Sequence, residues 1–149
     1  MKIVIGCDHG GFELKTILLN HLKEQGIDVL DQGSYDTEPV DYPDVAFKVC
    51  RSLTGGEADL GILVCGTGIG MSNVAGKVKG MIPALCTDTF MAKMSRLHND
   101  ANVLCLGGRV IGSELAKEIV DTWLSNEPLQ DEKYVRRRKK ITDFDEARS

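Results

Sequence analysis

Leu60-Gly61-Ile62-Leu63-Val64-Cys65-Gly66-Thr67-Gly68-Ile69-Gly70-Met71 is the stretch from which the rest of the chain can be read. An apolar run ends in a thiol, and three glycines alternating with Thr67 and Ile69 follow. A short apolar run bounded by glycine reads as a buried strand. The glycines let the backbone turn tightly with its N–H groups facing inward, which makes a cradle for negative charge and leaves the sulphur of Cys65 at its lip. Two readings fit Cys65: a small hydrophobe closing a core strand, or a nucleophile or base beside an anion site.

Two known anion loops serve as tests. A dinucleotide fingerprint needs its third glycine at position 71, which is Met71, although Asp88 lies about where a ribose-binding acid is expected. That partial match keeps a non-enzymatic nucleotide-binding or regulatory module as an alternative. A phosphate-binding P-loop needs four residues between its glycines and Ser or Thr after the lysine. Gly70 and Gly76 enclose five residues and Lys77 precedes Val78, so that reading fails.

Outward from this stretch, strands and helices alternate. Residues 2–7 read as a buried strand, 13–25 as a helix with Leu14, Ile17, Leu18 and Leu22 on one face, and 27–30 as a second strand. Residues 31–43, with Gly33, Pro39 and Pro43, form a loop, and Val45, Val49 and Leu53 mark a helix before the central strand at 60–65. Beyond the glycines come a short helix at 71–77, a strand at 82–86, a helix at 89–97, a fifth strand at 102–106 and a helix at 113–124. Pro128 separates a peripheral charged helix near 131–147. The alternation predicts an α/β fold: a single three-layer domain over 1–149, with a five-stranded parallel sheet, helices on both faces and a C-terminal helix.

Composition narrows the function classes. With 149 residues, 42% hydrophobic and 27% charged, the chain suits one soluble domain, and its apolar runs are shorter than the roughly 18 residues that span a bilayer. Met1 leads directly into a strand pattern without signal-peptide architecture, so a cytoplasmic location is expected. Five cysteines form no CxxC pair and are expected as free thiols, and His9, His21 and His98 show no metal-ligand spacing. A net charge of −4 argues against a nucleic-acid partner, although Arg136-Arg137-Arg138-Lys139-Lys140 concentrates cations near the C-terminus.

Parallel α/β folds gather functional groups beyond the C-terminal ends of their strands. Three strand ends share related punctuation: Cys7-Asp8-His9-Gly10-Gly11, Cys65-Gly66-Thr67-Gly68 and Cys105-Leu106-Gly107-Gly108-Arg109. Asp8-His9, Cys65, Thr67, His98-Asn99 and Arg109 all fall at or just past element ends and are expected to share one crevice. Simpler roles compete: Asp8 as an N-cap, and His98 as a histidine favoured at a helix C-terminus.

With Asp41-Tyr42-Pro43 and Ser95-Arg96-Leu97-His98-Asn99-Asp100-Ala101-Asn102, these motifs resemble those of type B ribose-5-phosphate isomerase over nearly the whole chain. The resemblance implies a Rossmann-like homodimer. It also implies cofactor-free interconversion of D-ribose 5-phosphate and D-ribulose 5-phosphate through a cis-enediolate, in the pentose phosphate pathway. Hexose-6-phosphate isomerases acting on allose or galactose belong to the same superfamily and remain an alternative. By this likeness His98 is the ring-opening acid/base, and Cys65 the base at C2, a role that requires the thiolate.

Thr67 is by the same likeness a hydroxyl in the anion hole formed with Gly66, Gly68, Ile69 and Gly70, whose N–H groups would serve both the thiolate and the developing oxyanion. Asn99 is implied as a sugar-binding amide, Asp8 and His9 as a pair for hydroxyls or phosphate, and Arg109 as the in-chain phosphate contact. Further arginines are expected from the C-terminal helix across the dimer interface. Counting from Trp123 selects Arg136, aligning Ile141 selects Arg137, and the family's earlier tail arginine falls on Glu132 or Lys133.

Overall fold

Alternate residues of the apolar runs face opposite sides of one parallel sheet, and both sides are buried. In the computed structural model, which describes residues 1–148, the strands are β1 (Lys2–Cys7), β2 (Asp28–Asp31), β3 (Leu60–Cys65), β4 (Pro83–Leu85) and β5 (Val103–Gly107). The helices are α1 (Phe12–Glu24), α2 (Tyr42–Thr54), α3 (Ile69–Ala75), α4 (Thr89–Leu97), α5 (Ser113–Leu124) and α6 (Glu132–Ala147). Ile3, Ile5, Ile62 and Val64 pack with Leu14 and Leu18 of α1, Ala92 of α4 and Ile119, Val120 and Trp123 of α5. Val4, Leu63, Cys65 and Cys105 pack on the other face with Val45 and Val49 of α2 and Met71 and Ala75 of α3. The expected three-layer α/β architecture is therefore the one adopted.

Two glycines inside strands show why α2 lies so close to the sheet. A Cβ on Gly6 would stand 2.8 Å from Val45 and Val49, and one on Gly61 3.0 Å from Leu53. The helix rests on bare backbone there, and an alanine at Gly6 would lift it.

The sheet order is β2-β1-β3-β5-β4, so the crossover from β3 through α3 passes over β5 and leaves β4 at the edge. As a result β1, β3 and β5, the three strands with glycine-rich ends, are adjacent in the centre. Element boundaries differ from the sequence reading in three instructive places. A 3-10 turn at His9–Gly11 precedes α1. Helix α2 starts at Tyr42, since Pro43 fits a first helical turn, where its missing N–H costs nothing. Helix α3 starts at Ile69, so Ile69 and Gly70 belong to its first turn and not to the loop. Among the described residues no helix is long and apolar enough to cross a membrane, and α6 buries none of its side chains.

Candidate active site

Backbone hydrogen bonds stitch the three central strand ends together. Asp8 N–H donates to Val64 O (3.2 Å), Gly108 N–H to Cys65 O (2.8 Å) and Arg109 N–H to Gly66 O (3.0 Å). Gly108 has no room for a side chain, because a Cβ would stand 2.9 Å from Gly10 O. The expected convergence of Asp8-His9, Cys65-Thr67 and Arg109 is therefore realised.

Cys65 closes β3 with 5% of its surface exposed, and its Sγ accepts the Gly68 N–H at 3.1 Å. That contact depends on Gly68, whose φ of 80° lies in the left-handed region and whose Cβ would meet Leu85 at 2.6 Å. A donor on sulphur interacts more strongly with a thiolate than with a thiol. The other four cysteines are buried, and burial pushes the thiols of Cys7, Cys50 and Cys86 up to about 11 and that of Cys105 higher still. Fully enclosed, they serve as core hydrophobes, the role that also competed for Cys65.

The N–H groups of the loop are divided between tasks rather than shared. Gly68 serves the sulphur, and Ile69 donates to Thr67 Oγ1 (3.2 Å), which leaves the Thr67 hydroxyl proton free to donate elsewhere. Among the described residues no protein acceptor takes the N–H of Gly70 or Met71 in the first turn of α3, where helical N–H groups point out of the helix end. Met71 is itself buried, so of these two the Gly70 N–H is the one at the surface of the loop. Tyr42, to which the motif Asp41-Tyr42-Pro43 assigned no role, packs its ring on Gly70, where a Cβ would be only 2.8 Å away.

On the opposite sheet face, a cleft of about 450 Å³ opens beside the loop, lined by His9, Glu13, Ile17, Thr37, Arg109 and Ser113. The Arg109 side chain lies over Gly66, with Nη1 3.3 Å from the position of a Cβ there, and among the described residues it has no ion-pair partner. His9 accepts the Val40 N–H on Nδ1 at 3.3 Å, which assigns the ring proton of the neutral form to Nε2. Asp8 does act as an N-cap, with Oδ1 accepting from Gly11 N–H at 3.1 Å, while Oδ2 takes no donor among the described residues.

His98 and Asn99 do not share this crevice within one chain. They end α4, which runs antiparallel to the strands, so its C-terminus lies where strands begin. Four residues on, the Asn102 carbonyl accepts the Gly61 N–H at the start of β3, about 13 Å along the strand from Cys65. The sequence reading treated all element ends alike; strand C-termini converge, and the C-termini of crossover helices lie at the opposite end of the sheet. His98 stacks on Tyr134 of α6, with ring centroids 4.5 Å apart and planes 12° from parallel.

The tail cations separate by partner. Arg136 is held by Glu132 (Nη1 to Oε1 2.5 Å), and Arg138 donates to the carbonyls of Leu129 (2.9 Å) and His98 (3.5 Å). Arg137 and Lys133 are exposed and have no acidic partner among the described residues. Asp88, which kept the nucleotide-binding alternative open, caps α4 by accepting from Met91 N–H at 2.7 Å. It follows the edge strand β4, separated from the glycine loop of β3 by β5, and so cannot meet a dinucleotide there as a fingerprint acid would.

The family model described as Ribose/Galactose Isomerase matches residues 3–141. The chain belongs to the ribose/galactose isomerase family. Among relatives in that family, ribose-5-phosphate isomerase B of Escherichia coli is 50% identical over 123 residues, covering 83% of each chain. D-erythrulose-4-phosphate isomerase of Pectobacterium atrosepticum is 46% identical over 130 residues, covering 85% of this chain and 84% of its own. The structure of Clostridium thermocellum ribose-5-phosphate isomerase B superposes with a TM-score of 0.96 at 49% identity, covering 100% of both chains.

Proposed function

We propose that the protein is a ribose-5-phosphate isomerase that moves a proton between C2 and C1 of the open-chain sugar without a cofactor, acting as a homodimer. The observation that carries this reading is Cys65 Sγ under the Gly68 N–H, at strand ends that also present Asp8, His9 and Arg109. The thiolate removes the C2 proton of the aldose. Charge passes to the carbonyl oxygen as the cis-enediolate forms, where the Gly70 N–H and the Thr67 hydroxyl can meet it. The hydroxyl proton of O2 passes to O1, and return of the abstracted proton to C1 completes the ketose. His9 Nε2–H and Asp8 Oδ2 suit sugar hydroxyls, and Arg109 suits the phosphate.

Ring opening needs an acid/base beside the anomeric oxygen, and the chain's own His98 stands at the far end of the sheet. The homodimer resolves this if the partner subunit's His98 and Asn99 lie over Cys65 and the partner subunit's α6 brings a tail guanidinium to the phosphate. Arg137 is the better candidate for that contact, because Glu132 neutralises Arg136 and Arg138 is spent on carbonyls. Lys133, one helical turn before Arg137, then stands where the family has its earlier tail arginine. Five unpaired cysteines suit a reducing compartment, and we place the protein in the cytoplasm.

The test is conversion of ribose 5-phosphate by chelator-treated protein, alongside four- and six-carbon sugar phosphates. Turnover should persist and favour the pentose, and Cys65→Ala should lose about 10²- to 10⁴-fold, the usual worth of a positioned general base. Ordinary turnover by Cys65→Ala would remove the thiol from the mechanism.

A further inference from the structure

Helix α6 is attached to its own subunit by little. None of its side chains is buried, and its N-terminal half holds on largely through His98: the Tyr134 ring stacks on the imidazole, and Arg138 donates to the His98 carbonyl and to Leu129 O. Leu129 N–H in turn donates to Leu97 O (2.9 Å), closing a loop of contacts around the end of α4. The turn beneath is fixed independently. Arg96, 6% exposed, donates to Asp100 Oδ1 (2.8 Å), to Ala101 O (2.7 Å) and to Asn126 O (3.3 Å), holding Asp100 at a φ of 52°. The backbone of His98 is therefore rigid, whereas its imidazole has one flat neighbour, and that neighbour belongs to α6.

We infer that Tyr134 is a positioning residue for ring opening: its stacked ring sets the plane of the His98 imidazole, and its place beside Lys133 and Arg137 links that plane to phosphate capture by the same helix. The inference rests on the proposed role of His98 and adds a group that does not touch the reacting atoms. An imidazole must present one nitrogen to the ring oxygen and the anomeric hydroxyl in turn, and rotation about its Cβ–Cγ bond moves that nitrogen out of reach. A parallel stack blocks this rotation while leaving the ring edge, where both nitrogens lie, open to substrate. Lys133, Tyr134 and Arg137 stand on one helix, so the stack on the imidazole and the phosphate contact are carried by the same element.

The chemistry supplies a clean separation of steps. Ribose 5-phosphate closes into a furanose through its C4 hydroxyl and must be opened. Ribulose 5-phosphate has its C5 oxygen esterified, cannot close a five-membered ring, and enters the proton transfer directly. Conversion of ribose 5-phosphate thus reads ring opening plus proton transfer, whereas exchange of the C1 hydrogen of ribulose 5-phosphate with D2O, followed by NMR, reads proton transfer alone. Tyr134→Leu should lower kcat on ribose 5-phosphate about tenfold and leave the exchange rate within about twofold, while Tyr134→Phe, which keeps the stack, restores both. The His98 ring protons, shifted upfield by the facing phenol in the unmodified protein, should return downfield in Tyr134→Leu and not in Tyr134→Phe.

Equal loss of conversion and exchange in Tyr134→Leu would overturn the inference, as would full conversion by that variant or His98 resonances that ignore the substitution. Failure of the unmodified protein to catalyse either reaction would instead remove the isomerase reading beneath it.

Discussion

Only one of the five thiols should be chemically available, and the difference is large enough to measure in a single labelling experiment. Thiols pushed up to about 11, as in Cys7, Cys50 and Cys86, lie 3.5 units above pH 7.5 and are ionised to about 1 part in 3,000. A thiol in ordinary surroundings, with a pKa of about 8.5, is about one-tenth ionised at that pH, a 300-fold advantage. The more basic thiolate recovers part of this through its greater nucleophilicity, about 13-fold over 2.5 units at a Brønsted slope near 0.45. Each of these three thiols is thus about 20-fold less reactive than an unburied cysteine before access is counted. Access also favours Cys65, since these three residues are 0–1% exposed and Cys65 is 5% exposed.

Brief treatment of the native protein with iodoacetamide at pH 7.5, followed by peptide mapping, should therefore find one adduct, on Cys65. Ribose 5-phosphate should slow its formation. Comparable labelling of Cys7, Cys50 or Cys86, or a Cys65 that labels only after unfolding, would refute the account of the thiol as the working base.

Other consequences follow from particular contacts. His98→Asn should abolish conversion of ribose 5-phosphate while sparing most C1 exchange on ribulose 5-phosphate; equal losses in steady-state and NMR assays would take ring opening away from His98. Arg137→Ala should raise KM for the sugar phosphate about 10- to 100-fold, the worth of a charged hydrogen bond, whereas Arg136→Ala should stay within about twofold because its exposed pair with Glu132 is weak. Lys15, 2% exposed, donates to both oxygens of Asp31 (3.0 and 2.9 Å) and to Ser34 O (2.7 Å), so Lys15→Met should lower stability to urea by about 3 kcal/mol, the low end for a broken buried pair because Asp31 is partly exposed. The Gly80 N–H bonded to Asp145, helped by Arg148, holds that carboxyl below its ordinary value of 3.8. A depressed carboxyl stabilises above its ordinary value and loses that contribution as pH falls through the folded one, so the Gly80 amide should stay protected at pH 5 and exchange freely in strong acid.

Much of the fold was legible because alternation is a strong signal: apolar runs of strand length separated by helical periodicities leave few arrangements other than a parallel sheet with crossovers. The site was legible to the extent that its residues follow strands, since Cys7-Asp8, Cys65-Gly66 and Gly108-Arg109 lie at chain positions whose spatial end is set by strand direction. His98 was misplaced for the complementary reason. A helix C-terminus looks like any other element end in sequence, and its position in space depends on the direction of the crossover. The division of the loop's donors was equally hidden, because it turns on a two-residue difference in where α3 begins. The choice between Arg136 and Arg137 needed the side-chain pairing with Glu132, which no count from Trp123 or Ile141 supplies.

If His98 opens the sugar ring, as proposed, the same geometry requires two chains. A parallel α/β subunit delivers strand-end chemistry at one end of its sheet and helix-end chemistry at the other, and no loop adjustment within the chain carries an imidazole across the length of β3. In the proposed homodimer a two-fold axis would do so: inverting one subunit against the other would set each His98 beside the opposite Cys65, and each α6 would follow because it is pinned to His98 through Tyr134 and Arg138. On this arrangement both sites form together or neither does. A mixture of Cys65→Ala and His98→Asn chains, each inactive on ribose 5-phosphate as a homodimer, should then regain close to half of one dimer's activity in the heterodimers, which contain one intact site. Were the two residues to act within one chain, every chain in the mixture would carry a defect in its own site, and no activity would return.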